Sequence, residues 1–237
     1  MNISLAASEA NEPICADCAA RPLGVCAALN PDDLRELDHL GHHVCFMPRQ
    51  TVFAQEELTT SFYNLREGVM RLYKLLPDGR RQIVGFAVPG DFLGMATSAR
   101  HGFPADALGR VAVCRFSKAS FARFVEDKPN LLRRINELVV RELSLAQDHM
   151  VLLGRRSAEE KVASFLLGWR DRLARLGDVT NMVPLPMGRQ DIADFLGLTI
   201  ETVSRTFTKL ERDGLIDIVP VGVVLLDLER VQSLAAA

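Results

Sequence analysis

The chain has 237 residues, 48% hydrophobic and 24% charged, with a formal net charge of −2. This is an ordinary globular composition, with room for one large domain or two modest ones. No apolar run approaches the roughly 20 residues that span a bilayer. Residues 1–13 lack the basic start and apolar core of a signal peptide, so the expectation is a cytoplasmic protein with no membrane partner. The charge balance announces no nucleic-acid partner either. The part from Arg155 onward is also close to neutral, so any DNA-binding reading must rest on a motif.

The first informative segment is residues 15–29. Cys15, Cys18 and Cys26 crowd into it, and Pro22 and Gly24 break it. It is too interrupted for a long helix and too rich in cysteine for a simple tail. A short helix should follow. Asn30 can cap it, Pro31 suits its first turn, and Asp32 and Asp33 suit the positive end of its dipole. Leu34, Leu37 and Leu40 give it an apolar face.

Across residues 44–116 short β-type runs recur at 50–53, 62–65, 69–75, 82–86 and 109–116. Turn signals separate them: Glu67-Gly68, Pro77-Asp78-Gly79 and Pro89-Gly90-Asp91. Many short strands with regular turns suggest a small antiparallel barrel or sandwich.

Residues 129–154 read as one long helix. Asn136, Val139, Leu143, Ala146, Met150 and Leu153 fall at alternating spacings of three and four, a heptad-type seam. Leu131, Leu132, Ile135, Leu138 and Leu145 form a second apolar face. A helix apolar on two sides can pack on its own domain and on a second copy of the chain, which points to a homodimer. Residues 154–157 look like a hinge. A helix over 157–176 should follow, capped by Ser157 and acidic at Glu159 and Glu160, with Val162, Phe165, Leu166, Trp169 and Leu173 as its core stripe. Residues 178–186 read as a connector with some strand character.

The strongest signal is RQDIADFLGLTIETVSRTFTKL, residues 189–210. A first helix would turn Ile192, Ala193 and Leu196 inward, and Ala193 is small where a second helix must cross closely. Gly197 sits where the turn needs a positive φ. Thr199 caps a second helix anchored by Val203 and Phe207. That is a helix-turn-helix, with Ile200, Glu201, Ser204 and Arg205 on its outward face. Glutamate can accept from cytosine N4, arginine can bind guanine O6 and N7, and serine can meet a base or a phosphate. Glu201 and Arg205, one turn apart, are equally suited to a surface ion pair. Thr202, Thr206, Lys209 and Arg212 would contact phosphates. Strands at 215–219 and 221–226 would make a wing. No Walker loop, G-x-G-x-x-G, nucleophile elbow or metal-hydrolase signature argues for an enzyme.

This order of parts resembles the Crp/Fnr superfamily of bacterial regulators, over almost the whole chain and closest to the Fnr branch. The resemblance implies an α+β architecture. Residues 1–29 would be a cysteine-rich cluster-binding segment and 30–128 an antiparallel, jelly-roll-like β-barrel sensor of the cyclic-nucleotide-binding type. A dimerisation helix would span 129–154 and a winged helix-turn-helix 155–237. ETVSR, residues 201–205, matches the branch's E-x-x-S-R recognition motif. It implies a palindromic TTGAT-N4-ATCAA-like site read by Glu201, Ser204 and Arg205, with RNA polymerase as a partner of an activator. Nucleotide-binding members carry a glycine-glutamate pair and a later Arg-Ser or Arg-Thr. Here Asp91 follows Gly90 and no such pair follows within the barrel, so no cyclic nucleotide is expected.

The set Cys15, Cys18, Cys26 and Cys114 resembles the four ligands of oxygen-sensing members, which implies a [4Fe-4S] cluster. Zinc remains open, although the long gap to Cys114 is unusual for it, and so does a disulfide switch between Cys15 and Cys18. Without a sensor group, the chain would be a cluster-free regulator controlled by its abundance. An electron-transfer iron–sulfur protein would need no helix-turn-helix. Cys45, next to His42 and His43, reads as a small buried strand residue. Where some oxygen-sensing relatives have an acidic residue in the dimer seam, this chain has Ala146, so dimerisation should be freer.

Overall fold

The computed structural model describes residues 15, 18–95, 99–154, 157–177 and 180–236. Residues 1–14, Arg155 and Arg156 of the expected hinge, and the first two residues of the 178–186 connector lie outside them.

The cysteine segment closes with a 3₁₀ turn, Val25–Ala28, and leads into helix α1, Pro31–Leu40. Asn30 caps α1 as expected, accepting from the N–H groups of Asp32 and Asp33 at 2.9 Å each. Two four-stranded antiparallel sheets follow. One has the order β1 (Gly41–Phe46), β8 (Val111–Ser117), β3 (Ser61–Glu67), β6 (Phe92–Leu93). The other runs β2 (Thr51–Phe53), β7 (Ala105–Ala107), β4 (Met70–Leu75), β5 (Arg81–Ala87). Their inner faces share a core that includes Phe53, Leu65, Met70, Ala105, Val111 and Val113, so the barrel-or-sandwich expectation resolves to a sandwich. Strand β1 starts at Gly41, before the apolar pattern begins, because His42 and His43 lie in its exposed first half.

The outer face of the first sheet is covered by helices. Val25, Leu37, Phe92, Phe116, Phe121, Phe124, Leu131 and Leu138 form that second core. Phe121 and Phe124 belong to helix α2 (Lys118–Glu126), which the pattern did not announce; Ser117, the last residue of β8, caps it through the Ser120 N–H at 3.1 Å. Helix α3 spans Pro129–Gly154, the full expected length. Its inner face is narrower than expected. Leu131 and Leu138 are buried, but Leu132 is 51% exposed and lies seven residues before Val139, in line with the seam. Asn136, Val139, Leu143, Ala146 and Met150 are exposed in the single chain, and Leu153 is half-buried.

The C-terminal part contains helices α4 (Ala158–Ala174), α5 (Arg189–Leu196) and α6 (Ile200–Arg212), and a three-stranded sheet of order β10 (Ile216–Val219), β11 (Gly222–Leu225), β9 (Met182–Pro184). Ser157 caps α4 through the Glu160 N–H, and Val162, Phe165, Leu166 and Trp169 are buried as expected. A last helix, α7 (Leu228–Ala236), was not expected. Its alanine-rich end hides the period, yet it buries Val231 against this domain.

The two halves are not beads on a string. Ile83, Phe86 and Val88 of the sandwich share one core with Phe165, Trp169 and Phe207. Charged groups rim that contact. Arg71 reaches Asp191 at 3.0 Å, and Arg81 reaches Asp191 and Asp194 at 2.7 Å. Arg172 meets the buried Asp91 at 2.5 Å. Helix α3 joins in: His149 lies flat on Phe195, ring centroids 3.9 Å apart, and its Nε2 is 2.8 Å from the Phe195 carbonyl. The buried Lys161 donates to the carbonyls of Leu153 and Leu196, so one cation serves the negative ends of α3 and α5 together.

Candidate DNA-reading surface and cysteine pocket

Helices α5 and α6 cross tightly because the sequence permits it. Ile192, Ala193, Leu196 and Val203 are fully buried. Gly197 takes φ 64°, in the left-handed region where a Cβ would add strain. Thr199 caps α6 through the Thr202 N–H at 3.2 Å. This geometry leaves one face of α6 open: Ile200, Glu201, Ser204, Arg205 and Arg212 are all exposed. Among the described residues no ion pair joins Glu201 to Arg205, so both are free to face a ligand. Thr208, which sequence reasoning missed, is exposed between Arg205 and Arg212. Its signal was the four-residue step from Ser204.

Three of the four expected phosphate contacts sit differently. Thr206 is buried and its hydroxyl donates to the Thr202 carbonyl at 2.8 Å. It is a core residue, because three helical positions separate it from Val203. Lys209 is half-buried and paired with Glu159 of α4. Thr202 is half-buried, with its hydroxyl 3.0 Å from that of Thr199.

The second site lies where the cysteine segment crosses the outer face of the first sheet. Cys15, Cys18, Cys26 and Cys114 all line one small pocket with Arg21, Asn64 and Arg66. Strand β8 presents Cys114 from below. The turn and 3₁₀ segment bring the other three over it. Arg134 of α3 fixes that segment from the side, donating to the carbonyls of Leu23 and Gly24 at 2.7 and 3.1 Å.

Burial pushes the thiols of Cys15, Cys26 and Cys114 up to about 12. The Asp38 carboxylate, which accepts from Cys15 Sγ at 3.3 Å, adds to this at Cys15. Arg21 and Arg66 act the other way on Cys26 and Cys114. Left alone, these are protonated, inert thiols. A soft metal would have to drive the protons off. The donor set of four thiols with two guanidiniums beside them fits an iron–sulfur cluster, whose thiolates carry net negative charge. Among the described residues no three His, Cys, Asp or Glu side chains stand as a site for one metal ion; the four cysteines line one small pocket.

Asn64, Asp38 and His43 around this pocket had no sequence signal, since only strand pairing and helix packing bring them there. His43 stands opposite Cys114 across β1 and β8, with Nδ1 3.5 Å from its sulfur. Cys45, expected to be buried, is exposed, because it lies on the open face of edge strand β1.

The comparisons agree with the fold. Residues 43–128 match the family model described as cyclic nucleotide-binding domain, and residues 185–216 match that of bacterial regulatory proteins, crp family. The chain is 65% identical over all of its length, and all of the relative's, to the nitrogen fixation regulation protein FixK of Bradyrhizobium diazoefficiens. It is 63% identical to the transcriptional activatory protein AadR of Rhodopseudomonas palustris, covering 93% of this chain and 92% of that one. The solved structure of FixK2 from Bradyrhizobium japonicum superposes with a TM-score of 0.76 at 35% identity, covering 83% of this chain and 98% of that chain. The sandwich, the long helix, the helix-turn-helix and these relatives establish that the chain belongs to the Crp/Fnr family of transcription regulators.

Proposed function

We propose that the chain is an oxygen-responsive activator. It holds a [4Fe-4S] cluster through Cys15, Cys18, Cys26 and Cys114, and binds a TTGAT-N4-ATCAA-like palindrome as a homodimer. The observation that carries this reading is the meeting of four thiols from two distant parts of the chain at one pocket. A disulfide switch is the poorer reading, since redox-sensor thiols are exposed and acidic, whereas three of these are held protonated. Arg134 supplies a route outward, because it ties the cysteine segment to α3, whose exposed apolar seam suits a second copy of the chain. The open face of α6 then carries Glu201, Ser204 and Arg205 to base edges, and RNA polymerase is the partner that an activator requires. The reading needs no cyclic nucleotide, in keeping with an Asp91, the acid after Gly90, that already engages Arg172 and the Val88 N–H.

Purification without oxygen, with iron and sulfide analysis before and after air, tests the reading. A brown protein with about four irons per chain that bleaches in air supports it. A protein that stays colourless after reconstitution overturns the cluster and leaves a cluster-free regulator.

A further inference from the structure

Two polar side chains at the cysteine pocket are placed to act on the sulfurs in opposite senses. Asn64, on β3, is 2% exposed and pairs with Cys114 in the strand register. Its Nδ2 points at Cys26 Sγ, 3.9 Å away, within reach for a sulfur acceptor. Its Oδ1 has no hydrogen-bond partner among the described residues. A Cβ on Gly24 would come within 2.9 Å of that oxygen, so the cysteine segment packs directly on the amide. A buried amide with one end unsatisfied costs about 1–3 kcal/mol, which a leucine of similar size would avoid. The feature that leucine lacks is an N–H aimed at the sulfur. Asp38, on α1, has the reverse character. Its Oδ1 lies 3.3 Å from Cys15 Sγ and 3.1 Å from His43 Nε2.

We propose that Asn64 and Asp38 are positioning residues that set, with opposite sign, how readily the cluster loses an electron. This rests on the cluster reading above. An N–H donated to a ligating sulfur withdraws electron density and holds the cluster in its reduced state. A carboxylate beside a second ligating sulfur raises the electron density and favours oxidation. His43 spans the two sides, with Nε2 on Asp38 and Nδ1 facing Cys114 Sγ, and so keeps the carboxylate directed at the pocket. In oxidation by air, one electron passes from the cluster to dioxygen, which becomes superoxide. Dioxygen is uncharged, so its rate is insensitive to simple attraction or repulsion by Asp38.

The test uses the full-length chain, reconstituted with iron and sulfide under argon. The rate of bleaching of its visible absorption is then followed at fixed dissolved oxygen for Asn64→Leu and Asp38→Asn. Asn64→Leu should bleach severalfold faster and Asp38→Asn severalfold slower, at equal iron content per chain. Loosening of the fold can only speed bleaching, so the slowing in Asp38→Asn is the decisive half. If Asn64→Leu fails to hold iron, the isosteric Asn64→Asp replaces the donor with an acceptor and should also bleach faster. Unchanged rates, or acceleration in Asp38→Asn, overturn the proposal. A wild-type chain that takes up no iron overturns the cluster reading instead.

Discussion

The DNA-reading face and the cysteine pocket are built on opposite plans. Every residue of the reading face comes from one helix of 13 residues, α6, and its side chains are exposed; among the described residues Arg212 alone of them makes an ion pair, with the adjacent Asp213. The pocket is assembled from the cysteine segment, β3 and β8, with Cys26 and Cys114 buried and Cys15 and Cys18 half-buried. A face on one helix needs only periodicity and a cap, both local properties. A pocket at the junction of segments about 90 residues apart depends on strand register and on the helices that cover the sheet. The first should tolerate changes independently, whereas the second should respond as a unit.

The largest expected effect tests that cooperativity. Cys26→Ser should abolish cluster loading altogether rather than by a quarter, because three thiolates leave the cube short of a ligand. Iron analysis after reconstitution reads this, and full iron occupancy would remove Cys26 from the set. Next is the seam on α3. Leu143→Glu places two carboxylates at the axis of a dimer, and sedimentation should find monomers at micromolar concentration with protomer melting unchanged. A dimer that survives would place the interface elsewhere. Asp91→Asn breaks a buried pair between the halves and should cost on the order of 3 kcal/mol of stability in denaturant unfolding, since Arg172 would lose its nearer, buried partner and keep only Glu142 at 3.8 Å. Arg205→Ala is smaller and of another kind. It should weaken binding to the palindrome by about 1–3 kcal/mol, roughly 5–150-fold, with no change in melting. An equal loss on unrelated DNA would demote Arg205 to a phosphate contact.

The same contrast explains what the sequence made legible. Helices α3, α5 and α6 fall where periodicity and caps put them, and Gly197 is in the backbone region that its motif requires. The four cysteines were legible as a set only through resemblance, since nothing local links Cys114 to Cys26. Asn64, Asp38 and His43 were invisible as a group, because their proximity is created by the pairing of β8 with β1 and β3 and by the packing of α1. Thr206 was misplaced because a threonine on a DNA-reading helix suggests a phosphate contact, while its position beside Val203 and Phe207 turns it to the core. Helices α2 and α7 were missed for a related reason: they are short and draw their stability from surfaces supplied by other segments.

The smallest expected effect concerns the junction between the two plans, where α3 meets α5. Burial lowers the pKa of His149 below its ordinary value, against the raising effect of its hydrogen bond to the Phe195 carbonyl. The unfolded chain can therefore take up a proton near pH 6.5 that the folded chain resists. Folding stability is fully present above that pH and declines as pH falls through and below it. His101, stacked on Phe53 and also lowered by burial, contributes with the same sign from inside the sandwich. The two are separable. His149→Gln keeps a donor for the Phe195 carbonyl but cannot titrate, so the fall in melting temperature between pH 7.5 and pH 5.5 should be shallower in the variant, with the His101 part remaining. A slope equal to that of the wild type would show that α3 and α5 hold together without any contribution from the ionisation of His149. The junction would then owe its stability to the Phe195 stack and to Lys161, whose two carbonyl partners lie on the same pair of helices.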